Sequence, residues 1–106
     1  LNYHNRAPSL QVLRDQIDAL DSQIVALMAE RALCVRDATR FKKDAFQVAA
    51  PARQAQVFQK VRNLASEHSA NFPGFENIVE SAYRSMVAGF IAAEQELFAQ
   101  TEEVKS

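Results

Sequence analysis

SLQVLRDQIDALDSQIVALMAERALCVRDATRFKK, residues 9–43, holds neither glycine nor proline. Its apolar side chains recur at Leu10, Leu13, Ile17, Leu20, Ile24 and Leu27, in steps of three and four. That spacing lines one face of an α-helix and is the seam along which helices pack on one another. Ser9, directly after Pro8, brings a side-chain oxygen to the point where the first helical N–H groups need an acceptor. The stretch predicts one helix over about 9–43, about 50 Å long at its rise per residue. A compact chain of 106 residues is only about 26 Å across, so one copy cannot cover such a rod. With nothing in the stretch to kink it back, the economical arrangement is a homodimer in which two long helices cover each other.

Outward from this helix, Asp44 to Ala50 reads as a connection and Pro51 as the first residue of a second helix, where its missing N–H costs nothing. That helix should run to about His68, with Arg53, Val57, Val61, Leu64 and His68 along one face and Phe58 and Ala65 widening it. The cluster Ser69-Ala70-Asn71-Phe72-Pro73-Gly74 breaks it. A third helix then begins near Phe75, with Val79, Tyr83, Met86, Phe90, Glu94 and Leu97 as its seam. The expectation is an all-α fold of one long and two shorter helices, a single domain over 1–106 with its core at about 9–98.

Composition agrees. Two glycines and three prolines in the whole chain leave almost no turn chemistry for a sheet protein. Twelve Lys and Arg nearly cancel thirteen Asp and Glu, so bulk charge favours neither nucleic acid nor an anionic membrane. Cys34 is the single cysteine, which removes an internal disulfide and a zinc cluster and leaves it as a small core residue. No stretch of transmembrane length and no signal-peptide pattern is present. The expectation is a cytoplasmic chain, or a periplasmic one if a leader preceded Leu1.

The seams are interrupted by charge. Arg31 continues the first after Leu27, Arg53 opens the second, and Glu94 stands between Phe90 and Leu97 on the third. Charge at a helix interface is costly unless it is paired, wetted or facing a charged ligand. Lys42 lies close to three turns beyond Arg31 and returns to the same face. Cations on two helices and an acid on a third would enclose a small anionic pocket. Taken singly, a seam Arg is more often a snorkelling side chain or a partner for an acid than a ligand clamp, and His68 reads as a helix-end histidine favoured by the dipole.

Taken together, the residues resemble a known family. Leu13-Arg14, Ile17-Asp18, Asp21, Ile24, Leu27 and Glu30-Arg31, followed by Lys42 and by Pro51-Ala52-Arg53, are similar to the all-helical (AroQ-class) chorismate mutases. Arg40-Phe41-Lys42 and Ala50-Pro51 with Arg53 resemble in particular the branch that includes the isochorismate-pyruvate lyases. The resemblance implies an intertwined homodimer of three helices per chain, with two sites each drawing on both copies. It implies that Arg31 and the second copy's Arg14 bind the two carboxylates of the substrate. Arg14 and Arg31 stand about 25 Å apart along one helix, too far to meet on one small molecule within a single copy. By the same resemblance Lys42 contacts the ether oxygen and a carboxylate, Arg53 adds positive charge near the ring, and a third-helix side chain donates a hydrogen bond to the ether oxygen. Glu94 fits that last role best, with Gln95 the alternative. Three positions depart from the family pattern. Phe90 replaces a small hydroxyl residue, Gln54 replaces an acid after the second-helix arginine, and Ala50 replaces an acid before it.

The implied reaction is the concerted rearrangement of chorismate to prephenate, which calls for no cofactor and no metal. Its rate comes from holding the reactive conformer and from placing cations near the oxygen that gains negative charge. A donor carboxyl at Glu94 must hold its proton to act. Two other readings stay open at this point: loss of pyruvate from isochorismate in the same cationic box, and a non-catalytic helical dimer.

Overall fold

The computed structural model describes residues 9–105. In chain order they form α1 (Leu10–Thr39), α2 (Ala45–Ala49), α3 (Pro51–Ser66), one 3-10 turn (Ser69–Asn71) and α4 (Phe75–Lys105). Among the described residues there is no strand, and three principal helices carry the fold as expected. The third is no shorter than the first: α4 has 31 residues and α1 has 30. Beyond Phe75 the sequence has no proline and one glycine, Gly89, too little to stop a helix once it has started. Packing divides the chain into two compact units, one ending at Cys34 and one beginning at Val35.

In the first unit Ser9 caps α1, its Oγ accepting from the Val12 N–H at 3.2 Å and its carbonyl from the Leu13 N–H at 3.4 Å. The apolar stripe expected from the sequence is present but uncovered. Leu10, Leu13, Ile17, Leu20, Ile24 and Leu27 are each between 43% and 63% exposed. Cys34, expected in a core, is exposed, because the described residues of its unit form one helix and none of them packs over it.

The second unit holds the core. α1 ends at Thr39 rather than near residue 43. There the N–H groups of Arg40, Phe41 and Lys42 turn back to the carbonyls of Asp37, Ala38 and Thr39 at 3.0–3.3 Å, a tightened last turn that satisfies orphan acceptors. The expected connection contains a helix of its own. Asp44 Oδ1 accepts from the Gln47 N–H at 2.8 Å while Gln47 Oε1 accepts from the Lys43 N–H at 2.7 Å, a reciprocal cap that starts α2. Pro51 then bars Ala50 from the right-handed helical region. Ala50 takes a left-handed conformation, φ 43° and ψ 64°, so α2 breaks and α3 begins with Pro51 as its first residue.

Val48 of α2, Val61 and Ala65 of α3 and Val87 of α4 are buried, where α2 and α3 pack on α4. The inward line of α3 passes through Val57, Val61 and Ala65. Leu64 and His68, expected on that face, are exposed, because steps of four carry the contact to the Ala65 side. His68 meets the Phe75 ring edge-on at 6.4 Å between centroids. On α4 the expected seam holds from Val79 to Glu94, but Leu97 is 41% exposed and Phe98 is the half-buried one. A straight helix drifts against a strict heptad seam over such a length.

A charged cluster ties α3 to α4. Arg62 Nη1 donates to Asn77 Oδ1 and to Glu80 Oε1, each at 3.1 Å. Arg84 Nε donates to Glu80 Oε2 at 2.9 Å while its guanidinium lies 4.4 Å from the centre of the Phe58 ring. The hydrogen bond from Arg84, with Arg62 beside it, holds the Glu80 carboxyl below its ordinary range.

Candidate active site

Two predicted site residues of the second unit meet in one cleft, Lys42 from the turn after α1 and Arg53 from the start of α3, while Glu94 of α4 meets the end of α1 through Thr39. Lys42 stands in the turn that closes α1 and is half-buried. Arg53 stands in the first turn of α3, where the Ala50–Pro51 break sets its position. The two cations line one open cleft of about 650 Å³. Phe41, Phe46, Ala50 and Pro51 form its apolar wall. An anionic molecule with an apolar ring finds both chemistries there.

Lys42 also lines a second, smaller cleft of about 320 Å³, together with Thr39 and with Leu97, Phe98 and Thr101 of α4. Arg36 and Arg40 stand at its edge, both within 3.5 Å of Asp37 Oδ1. These are exposed pairs that contribute little to stability.

Glu94 is buried, at 8% exposure. Its Oε2 lies 3.0 Å from the Thr39 hydroxyl, which donates to it. The same hydroxyl lies 3.0 Å from the Val35 carbonyl one turn back. Gln95, the alternative donor, is exposed, since the next residue on a helix turns by about 100°. Gln54 is half-buried, and its Nε2 donates to the Ala49 carbonyl at 2.6 Å. That amide is engaged in bracing the α2–α3 break.

Arg14 and Arg31 belong to the first unit. Arg14 is exposed and Arg31 half-buried.

Thr39, the partner of Glu94, is marked in the sequence neither by charge nor by the family spacing. It lies on the line Leu27, Arg31, Val35, Thr39, in steps of four, so following the seam two turns past Arg31 reaches it. A hydroxyl does meet the third-helix acid, but from α1 and not from the position that Phe90 fills.

No helix among the described residues is long and apolar enough to cross a membrane. No curated protein matches the chain. Residues 13–95 match the family described as chorismate mutase type II. The match spans Arg14, Arg31, Lys42, Arg53, Gln54, Glu94 and Gln95 and most of all three principal helices, and the chain belongs to the chorismate mutase type II family.

Proposed function

We propose that the protein is an enzyme that converts chorismate to prephenate, in sites shared between two copies of the chain. The observation that carries this reading is the second unit's cationic cleft with Lys42 and Arg53 in its wall, close in sequence to the Thr39 hydroxyl that holds the buried Glu94. Arg31 and the second copy's Arg14 clamp the two carboxylates, for which the guanidinium fork is well shaped. Lys42 stabilises the ether oxygen as the C–O bond breaks and negative charge gathers there. Glu94, holding its proton, donates to the same oxygen. Arg53 supplies charge toward the ring. Gln54 and Gln95 border the site, Gln54 by fixing the α2–α3 break that aims Arg53. The bond changes are concerted within the substrate, so the protein's task is to hold the compact conformer and stabilise the developing charge.

The homodimer follows from the uncovered stripe of α1. Six aliphatic side chains in one line, each at least 43% exposed, are a large apolar surface for a stable single chain to leave in water. A second α1 packed along it removes that cost and delivers the second copy's Arg14 to the site.

The test is incubation of purified protein with chorismate and, separately, with isochorismate, following prephenate, salicylate and pyruvate. Prephenate from chorismate supports the proposal. Pyruvate released from isochorismate with no prephenate from chorismate would replace it with the lyase reaction, a reading to which Ala50 and Phe90 lend themselves. Neither product, with no thermal stabilisation by chorismate, would leave a non-catalytic helical dimer.

A further inference from the structure

Thr39 and Glu94 are the two polar side chains buried among the described residues, each 8% exposed, and they are bonded to each other across fifty-five positions of sequence. A buried acid and hydroxyl are poor choices for stability alone, because an apolar pair of similar volume packs as well without desolvation cost. We infer that Thr39 is a positioning residue for catalysis, whose hydroxyl fixes the carboxyl of Glu94 so that one defined oxygen is presented to substrate. The inference rests on the proposal that Glu94 is the donor to the breaking bond.

The geometry supplies the means. Thr39 Oγ1 is held 3.0 Å from the Val35 carbonyl, an i to i−4 back-bond that fixes the hydroxyl on the helix it belongs to. From there it lies 3.0 Å from Glu94 Oε2. A hydroxyl has one proton and two lone pairs. If it gave the proton to Val35, it could only accept the carboxyl's own proton from Oε2, and none would be left for a ligand. Giving its proton to Glu94 Oε2 instead, it leaves Oε1 as the oxygen that carries the carboxyl proton and presents it to a ligand. Glutamate has three rotatable side-chain bonds, and a donor that must be gathered in anew at each turnover loses the advantage of prior orientation. Thr39 anchors it to α1. Because Lys42 follows three residues later and lines the same cleft as Thr39, one helix end sets both the cation and the acid.

The experiment compares Thr39→Val, which keeps shape and removes the hydroxyl, with Thr39→Ser, which keeps the hydroxyl, each made in the native chain and in a Glu94→Ala background. Steady-state prephenate formation and thermal melting are read for all. Thr39→Val should lower kcat about tenfold, the scale of one lost hydrogen bond, with KM within about twofold. Thr39→Ser should restore most of the rate. In the Glu94→Ala background Thr39→Val should have no further effect. If the valine chain fails to fold, Thr39→Ala gives the same contrast. A folded valine or alanine variant with native kcat overturns the inference, as does a serine variant no better than valine. An equal loss in the Glu94→Ala background does so too, because the residue then acts otherwise than through Glu94. Native kcat in Glu94→Ala alone sinks the reading of Glu94 itself. A large loss in Glu94→Ala beside an unaffected Thr39→Val sinks only the role given to Thr39.

Discussion

Residues 9–34 and residues 35–101 obey the same helical periodicity and end in opposite states of burial. In the first stretch no residue is buried, although six aliphatic side chains line one face. In the second, Val48, Val61, Ala65 and Val87 are buried together with Thr39 and Glu94. Amphipathic spacing therefore says that a helix wants cover, and not where the cover comes from. In the second unit the cover is α2, α3 and α4 of the same chain. For the first, the proposal assigns it to a second copy, and the contrast can be broken at that point.

The largest effect should come from the arginines of the first unit. Arg31→Ala and Arg14→Ala should each lower kcat/KM by about 3 kcal/mol or more, the scale of a lost transition-state charge contact, with little change in melting. Mixing the two inactive chains under conditions where subunits exchange should restore about one native site per mixed dimer. If exchange is demonstrated and activity stays absent, the shared site is wrong and the first unit has another purpose.

Next in size is the stripe itself. Ile24→Asp places a charge where the second copy is expected, and sedimentation should shift from dimer to monomer with loss of activity. Val61→Ala, in the core of the second unit, should leave the dimer intact and cost about 2 kcal/mol of stability through the cavity it opens. If the native protein sediments as a monomer, a second copy does not cover the first unit. If Val61→Ala dissociates the dimer as readily as Ile24→Asp does, the second unit is not self-sufficient.

The sequence was legible where a single residue sets a backbone outcome. Ser9 marks the start of α1 and Pro51 the start of α3, because a cap and a missing N–H act locally. Asp44-Ala45-Phe46-Gln47 was legible in principle, being an acid followed three residues later by an amide, the spacing of a capping box. Periodicity does not mark it, because a one-turn helix has too few apolar positions to show any. The end of α1 at Thr39 carries no glycine or proline and is set by turn hydrogen bonds. Of the proposed site, Arg31, Lys42, Arg53 and Glu94 stand out as charge on apolar faces, and the family resemblance implies their roles. Thr39 does not stand out, since a threonine on a helix is unremarkable until its partner is known, and Glu94 lies on another helix.

A smaller effect tests the break between α2 and α3. Ala50 is the one non-glycine among the described residues with positive φ, a conformation that costs an L-residue about 1 kcal/mol or more. Ala50→Gly relieves this, offset in part by the larger entropy glycine loses on folding, so the net gain should be under about 1 kcal/mol. Melting and kcat/KM measured together would show whether the strain serves the Arg53 position. A more stable variant with lower kcat/KM says that it does, and unchanged activity says that Ala50 is only the seam of two helices.

The smallest effect is confined to the second unit and to acid. Glu80 sits between Arg62 and Arg84, and the hydrogen bond from Arg84 lowers its pKa from the ordinary 4.5. With the folded value lower than the unfolded one, the unfolded chain takes up the proton first as pH falls. The contribution to stability is therefore fully present above pH 4.5 and is lost as pH drops through the folded value. Because the cluster is exposed to solvent, screening keeps the effect small and makes it smaller still in high salt. Glu80→Gln should bring the melting temperature at pH 7 down slightly, and the difference should shrink as pH falls below 4.5, so that the two curves converge in acid. Curves that stay parallel from pH 7 to pH 3 would show that the Arg62–Glu80–Arg84 cluster does not help to hold α3 on α4, leaving that contact to Val61, Ala65 and Val87 alone.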